Sequence, residues 1–241
     1  MTEQEWLECG EAGPMLKYLW RLLCESEATI SERKARLFAC ACCRKCYHLS
    51  KDQRSKDALE AAEAFADGLI QYEHFSAVAT SARDAEEDAL VAYEHLSQEE
   101  DRPNAYSKII GTRLASWVML DTDPEDGVPI LSSAISVAGF AVDSYENPKV
   151  ADREQAAIIR DIFGNPFRPI TIDNTWLDWK DATIPKLAQA IYDERAFDRL
   201  PIFADALEET GCTNADILNH CRSDGAHVKG CWVVDLILGK E

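Results

Sequence analysis

The chain has 241 residues, of which 46% are hydrophobic and 28% are charged, a balance that is typical of globular proteins and excludes wholesale disorder. Its 43 acidic and 25 basic residues give a formal net charge of −18, which opposes binding to the phosphate backbone of nucleic acids. The acidic start indicates no signal peptide, and no apolar run approaches the ~20 residues of a membrane span. Nine cysteines, an odd number, cannot all pair in disulfides, so we expect a reduced cytoplasmic protein.

Helical periodicity dominates the first half of the chain, and capping residues mark where several helices begin. Thr2 and Glu5 form a capping box for the first helix, and Pro14 suits the first turn of the second. Ser31 and Asp52 stand where the third and fourth helices begin. The spacing of apolar residues predicts helices over residues 32–49, 52–65, 73–96, 109–120 and 130–145. Between the last two, residues 121–129 are predicted to form a turn-rich loop.

The second half is predicted to begin at Asn147-Pro148, because a proline restricts the residue before it. Gly164 should end a helix over residues 152–163, and two prolines require an extended segment after it. Residues 170–172 are the only strand-like run. Further helices are predicted over residues 184–193, 200–210, 214–222 and 231–238.

These elements predict an all-α fold, an irregular orthogonal bundle of about ten helices with at most a vestigial strand. A division at residues 146–149 would separate an N-terminal helical region, residues 1–146, from a C-terminal helical unit, residues 149–241. We expect the two to pack as one globular body.

Several sequence strings resemble an uncharacterised protein family of planctomycete-type bacteria. They are IFGNPFRP at residues 162–169, HCR at 220–222, HVKGCWVVDL at 227–236 and LFACACCR at 37–44. The resemblance implies a bacterial cytosolic protein. No activity is established for the family, so the resemblance assigns no catalytic residue.

The cysteines cluster in two places, residues 40–46 and residues 212–231. Cys42 and Cys46 lie four residues apart in a helical pattern, so their thiols should share one face. His227 and Cys231 have the same spacing. If the two pairs met, their three sulfurs and one nitrogen would suit tetrahedral zinc in a structural site, with residues 40–46 and 221–231 as ligands. Burial as small hydrophobic residues explains the clusters more simply, and an iron–sulfur cluster is a third alternative.

Cys231 is also a candidate nucleophile. It follows Gly230 at a predicted helix N-terminus, where the helix dipole lowers the pKa of a thiol, and His227 lies four residues before it. A cysteine-dependent hydrolase or transferase is therefore one hypothesis. The sequence contains no P-loop, dinucleotide-binding or metalloprotease motif, which favours a protein that is not an enzyme.

A rigid segment rich in proline holds Phe167 and Arg168 at a preset angle, and Trp176 and Trp179 follow it closely. Exposed together, these side chains would mark a protein interface, whereas buried they would belong to the core. With the acidic charge, they lead to the first hypothesis for function. It is a cytoplasmic interaction or adaptor domain that binds another cytosolic protein with a basic surface, but neither nucleic acid nor membrane.

Overall fold

The fold is all-α, as the sequence predicts. The computed structural model describes residues 1–25, 31–96, 102–119, 130–143 and 147–240. Within these ranges the chain forms thirteen α-helices, with 3-10 turns at Tyr47–Leu49 and Phe197–Arg199, and no β-strand. The helices are α1 (Glu3–Glu8), α2 (Ala12–Glu25), α3 (Glu32–Lys45), α4 (Gln53–Ala66), α5 (Tyr72–Glu94), α6 (Arg102–Val118), α7 (Ile130–Asp143), α8 (Pro148–Phe163), α9 (Asn174–Asp178), α10 (Thr183–Glu194), α11 (Leu200–Glu209), α12 (Ala215–Cys221) and α13 (Trp232–Leu238).

Three predicted helix starts are confirmed by their capping hydrogen bonds. Thr2 Oγ1 accepts from the backbone N–H of Glu5 at 3.2 Å, and Glu5 Oε2 accepts from the backbone N–H of Thr2 at 2.7 Å. Ser31 Oγ accepts from the N–H of Lys34 at 3.1 Å, and Asp52 caps α4 in the same way. Each cap satisfies a backbone donor that the helix itself leaves unpaired.

Two predicted elements of the second half differ in the structure. Helix α8 begins at Pro148 instead of residue 152, because the first turn of a helix does not use the N–H that proline lacks. Asn147 Oδ1 accepts from the N–H of Lys149 at 3.1 Å and so supports this start. Residues 170–172 form no strand, and Ile170 and Ile172 pack against a hydrophobic core instead. The predicted loop at 121–129 lies outside the described residues.

The chain divides into two compact units. The C-terminal unit comprises Met1–Cys9 and Ala156–Glu241, and the N-terminal unit comprises Gly10–Gln155. The division falls inside α8, between residues 155 and 156, whereas the sequence predicted a boundary at 146–149. The first nine residues group with the C-terminal unit.

The N-terminal unit is built around α3, which contacts α4, α6 and α7. Helix α5 packs against α4 and α6. Arg36 of α3 is buried, donates from Nη1 to the carbonyl oxygen of Val118 at 3.0 Å, and holds its guanidinium over the rings of Phe65 and Phe75. These contacts satisfy a charge that would otherwise be costly to bury.

The C-terminal unit has its own hydrophobic core, in which α10 packs against α9, α11 and α13, and α11 packs against α12. Trp176 is only 8% exposed and belongs to this core, and Trp179 packs against it. Phe167 is half-buried, whereas the Arg168 side chain is 62% exposed and pairs through Nε with Glu3. Trp176 therefore has the core role that the sequence offered as the alternative to an interface.

The described ranges contain no helix that is both long and apolar enough to cross a lipid bilayer.

Candidate metal centre

Four side chains with metal-ligating atoms converge in the C-terminal unit. Asp161 comes from α8, His220 from α12, His227 from the segment between α12 and α13, and Cys231 from the N-cap of α13. One ligand atom of each residue lies within 4.8 Å of the corresponding atoms of the other three. The structure therefore forms a group of oxygen, nitrogen and sulfur donors that can hold a metal ion.

Local hydrogen bonds hold the segments that bear these side chains. Asn214 caps α12, which positions His220 in the last turn of that helix. Ser223 Oγ donates to the carbonyl oxygen of His220 at 2.8 Å. The N–H of Val228 donates to Asp161 Oδ2 at 2.8 Å, so the loop before α13 is tied to α8. The backbone thus positions the four metal-ligating side chains before a metal ion binds.

A single ring nitrogen of His220 faces both the carboxylate of Asp161 and the thiol of Cys231. Its Nε2 lies 3.1 Å from Asp161 Oδ1 and 3.2 Å from Cys231 Sγ. In a catalytic triad the two ring nitrogens of histidine divide these tasks, one facing the nucleophile and the other facing the carboxylate. Here one nitrogen faces both an oxygen and a sulfur, an arrangement that ligands around a metal ion can also adopt.

His227 is oriented by acceptors at both ring nitrogens. Nδ1 lies 2.7 Å from Asp161 Oδ1, and Nε2 lies 3.3 Å from the carbonyl oxygen of Ser223. Because a carbonyl oxygen can only accept, this contact favours a proton on Nε2 and leaves Nδ1 as the nitrogen that faces the other metal-ligating atoms. Metal-binding histidines commonly donate their second N–H to a carbonyl oxygen in this way, which fixes the tautomer and the ring orientation.

Burial and charge set the protonation of the group. The side chain of Asp161 is 2% exposed; burial acts to raise its pKa, but hydrogen bonds from His220 and His227 outweigh burial and lower it below the ordinary value. Burial likewise acts to lower the pKa of His227, and the hydrogen bond to Asp161 outweighs it, so that pKa is raised. Burial and the charge of Asp161 raise the pKa of Cys231 well above its ordinary value.

The separations lie on both sides of those around a tetrahedral ion of the size of zinc. Zinc bonds of about 2.0–2.3 Å place neighbouring tetrahedral ligands about 3.3–3.7 Å apart. The short pairs given above are 2.7, 3.1 and 3.2 Å, and every pair lies within 4.8 Å. Binding such an ion would require the short pairs to open by about 0.2–0.6 Å and the widest pairs to close by up to about 1.1 Å.

The sequence predicted two of the four donors, His227 and Cys231, and the structure brings them into one group. Asp161 and His220 complete that group, and neither was among the predicted ligands. Asp161 had one local signal: it follows Ile158 by three residues, so a carboxylate lies on the buried face of an amphipathic helix. Buried carboxylates need a partner, so a carboxylate on this face indicates a buried ion pair or a metal ligand.

The other predicted ligands, Cys42 and Cys46, lie in the N-terminal unit, on α3 and at its C-cap. Both are buried among core residues. Cys46 Sγ lies 3.7 Å from the carbonyl oxygen of Ala141, to which the thiol donates, and burial raises the pKa of Cys42. These contacts are those of protonated thiols that pack as small hydrophobic residues.

A cavity of about 480 Å³ adjoins the donor group within the C-terminal unit. Asp161, His220 and His227 contribute to its lining, together with Arg160 and Trp232. The indole ring of Trp232 lies against His220, with ring centroids 5.1 Å apart. The candidate centre is thus buried on one side and borders a cavity on the other.

No protein-family model matches this chain, and neither curated proteins nor solved structures include one that is detectably similar.

Proposed function

We propose that the C-terminal unit is a zinc-binding module whose ligands are Asp161, His220, His227 and Cys231. The observation that carries the proposal is the convergence of His220 Nε2, Asp161 Oδ1 and Cys231 Sγ, with separations of 3.1 and 3.2 Å around the shared nitrogen. A mixed set of imidazole, carboxylate and thiolate donors suits zinc, which accepts all three and prefers four ligands. With one sulfur in the set, zinc is favoured over an iron–sulfur cluster.

The metal would join segments that are far apart in the sequence. Asp161 and Cys231 are separated by 70 positions, from 161 to 231, and the four donors come from α8, α12, the following loop and the start of α13. A bound ion would replace hydrogen bonds among these segments with coordinate bonds. Binding free energy would then contribute to the folding free energy of the unit, as in other structural zinc sites.

Native mass spectrometry of protein purified without a histidine tag or chelator tests the proposal. We expect one zinc ion per chain, lost together with folding when the solution is acidified. Elemental analysis of the same sample identifies the metal. A chain that carries no metal, and that takes up none when zinc is added to the chelated protein, would contradict the proposal.

A matched pair of cysteine variants tests the site. Cys231→Ala removes a proposed ligand, whereas Cys221→Ala removes an equally buried thiol of the same unit that lies outside the donor group. We expect zinc binding to be lost in the first variant and retained in the second. Equal zinc content in the two variants would show that Cys231 is not a ligand.

The nucleophile hypothesis is less well supported by this geometry. Cys231 is fully buried and its pKa is raised, both of which disfavour a reactive thiolate. Cys231 Sγ lies 3.2 Å from His220 Nε2. His227, the histidine that the hypothesis names, forms its hydrogen bond with Asp161 instead. The adaptor function expected from composition and charge stays a prediction.

A further inference from the structure

We infer that Ser223, His227 and Asp161 form a nucleophilic site in the metal-free protein, in which Ser223 Oγ attacks an uncharged ester bound in the adjoining cavity. The inference goes beyond the proposed zinc function, because it concerns the chain without a metal ion. It gives two of the proposed ligands a second role, so zinc binding and ester hydrolysis would exclude each other.

His227 divides its two neighbours between its two ring nitrogens, as the histidine of a catalytic triad does. Nδ1 lies 2.7 Å from Asp161 Oδ1, and Nε2 lies 3.4 Å from Ser223 Oγ. The N–H of Val228 donates to Asp161 Oδ2 at 2.8 Å and holds the carboxylate in place. The three side chains thus stand in the order of a nucleophile, a general base and the group that positions the base.

The hydrogen bonds leave Nε2 of His227 as the base. The carboxylate 2.7 Å from Nδ1 is a stronger acceptor than the Ser223 carbonyl oxygen 3.3 Å from Nε2, so a neutral imidazole in the metal-free protein keeps its proton on Nδ1. Ser223 Oγ donates to the carbonyl oxygen of His220 at 2.8 Å. Rotation of the hydroxyl turns the same proton toward Nε2 without moving Oγ. The contact between Oγ and Nε2 is long, as catalytic hydrogen bonds commonly are before substrate binds.

All three side chains line the cavity of about 480 Å³, and Ser223 is exposed, so the nucleophile faces a space that a small molecule can enter. The lining carries charges of both signs, which favours an uncharged substrate over an ion. Besides Asp161, the charged lining residues are Glu3, Asp216, Arg160 and Arg168.

The uncharged part of the lining suits a short ester. Leu7 and the indole ring of Trp232 contribute apolar surface for an acyl chain. The amide side chain of Asn219 lines the same cavity and is a hydrogen-bond donor for the carbonyl oxygen of the ester.

The reaction is an acyl transfer to serine and then to water. Ser223 Oγ forms a bond to the carbonyl carbon while its proton moves to His227 Nε2. The bond from that carbon to the alcohol oxygen breaks, and the alcohol leaves with the proton from Nε2. Water then adds to the acyl-serine and gives a proton to Nε2, and Oγ takes this proton back as the acid leaves.

Zinc bound as proposed would stop this reaction. Coordination uses Nδ1 of His227, so the remaining imidazole proton lies on Nε2 and faces the carbonyl oxygen of Ser223. A nitrogen that already carries a proton cannot accept one from the serine hydroxyl. The serine site is therefore active only while the zinc site is empty.

Diisopropyl fluorophosphate, an uncharged reagent, tests the inference on the chelated full-length protein. The reaction is run at about pH 8.5, about two units above the ordinary pKa of histidine. Attack by a serine on phosphorus displaces fluoride and marks the nucleophile, which peptide mass spectrometry locates. We expect Ser223 to be labelled in the native protein but not in urea, and the labelled protein to lose hydrolysis of p-nitrophenyl butyrate.

Thr210 is the matched control for Ser223. Its Oγ1 donates to the carbonyl oxygen of Leu207 at 2.7 Å, three residues earlier, which is the bond that Ser223 makes to His220. Ser223→Ala should lose both labelling and ester hydrolysis, whereas Thr210→Ala should keep both. His227→Gln should slow labelling of Ser223 by at least about a hundredfold, because the general base is lost. Thermal unfolding first checks that each variant is folded.

Each other outcome is decisive. Native protein in which Ser223 stays unlabelled would overturn the inference, and so would equal labelling in urea or in the His227→Gln variant. Ester hydrolysis that persists in Ser223→Ala would place the activity elsewhere. Zinc should prevent labelling of the wild type. Labelling that continues with zinc bound would support the serine site and contradict His227 as a zinc ligand.

Discussion

Asp161→Asn is the substitution that tests the donor group most directly in the metal-free protein. The carboxylate of Asp161 accepts from His227 Nδ1 at 2.7 Å, from His220 Nε2 at 3.1 Å and from the N–H of Val228 at 2.8 Å. These donors use both oxygens. Asparagine keeps one oxygen and replaces the other with an amide that can only donate, so either the histidines or Val228 would face a donor.

The burial of Asp161 determines how far the substitution lowers the free energy of unfolding. The Asp161 side chain is 2% exposed, so water cannot replace the lost acceptor. Leaving a buried donor unsatisfied costs about 1–3 kcal/mol, and breaking a buried charged pair costs about 3–5 kcal/mol. His227 can relieve part of the loss by releasing a proton. We therefore expect the free energy of unfolding to fall by about 3 kcal/mol in the presence of chelator.

The assay is urea denaturation followed by tryptophan fluorescence, with wild type and variant measured side by side in chelator and in zinc. Asp216→Asn is the matched control, because Asp216 is an exposed carboxylate that lines the same cavity. We expect it to change stability by less than about 0.5 kcal/mol. Zinc at one hundred times its dissociation constant should stabilise the wild type by about 2.7 kcal/mol and the Asp161 variant far less.

A loss below about 1 kcal/mol in chelator would contradict this expectation, since neutralising a buried carboxylate whose two oxygens both accept hydrogen bonds should cost more than that. A zinc-dependent gain that is equal in the Asp161 variant and the wild type would refute its role as a ligand. A loss shared equally by the Asp216 control would mean that net charge, and not the hydrogen bonds of Asp161, determines the result.

Three further predictions concern single positions. Gly164→Ala should destabilise the protein by about 1–2 kcal/mol in thermal unfolding, because Gly164 has φ +64° and a Cβ there would lie 3.2 Å from the ring of Trp232. Glu63→Gln should cost about 2 kcal/mol in urea denaturation, because the buried carboxylate accepts two hydrogen bonds from Arg44, at 2.7 and 2.8 Å; an unchanged midpoint would contradict this. Cys231 should react with iodoacetamide far more slowly in the native chelated protein than in urea, since the thiol is buried and its pKa is raised; fast native alkylation would revive the nucleophile hypothesis.

Local signals in the sequence were sufficient to predict the fold class and many helix ends. Thr2 and Ser31 cap helices where their spacing indicated, and Gly164 adopts the left-handed conformation that ends α8. Such signals are readable because a capping side chain or a positive φ acts within a few residues. Helix α9 has no counterpart among the predicted elements, because its five residues are too few for a periodic pattern.

The donor group depends on contacts that local spacing does not encode. His227 and Cys231 were paired as residues on one helical face, but His227 lies in a loop and Cys231 is the N-cap of α13. The structure brings the two side chains into one group, but not through a shared helical face. Asp161 could not be assigned as their partner, because its place in the group depends on how α8 packs against a loop more than 60 positions later in the chain.

Charge balance would allow this group to stay buried both with and without an ion. In the metal-free protein the pKa of Asp161 is lowered and those of His227 and Cys231 are raised, which favours an ionised carboxylate, a protonated imidazole and a neutral thiol. With zinc bound, Asp161 and the thiolate of Cys231 would balance the two charges of the ion, and His227 would give up its Nδ1 proton. Binding would then be an exchange of about two protons for one zinc ion, neutral in both states.

This exchange can be measured by calorimetry of zinc binding in buffers of different ionisation enthalpy. At about pH 6, below the ordinary pKa of histidine, we expect about two protons to be released per zinc ion. The apparent affinity should rise by about a hundredfold per pH unit in that range. The Cys231→Ala variant should release one proton fewer in any binding that remains. Release of no protons would mean that neither His227 nor Cys231 ligates the ion, and the metal would have to be sought elsewhere in the protein.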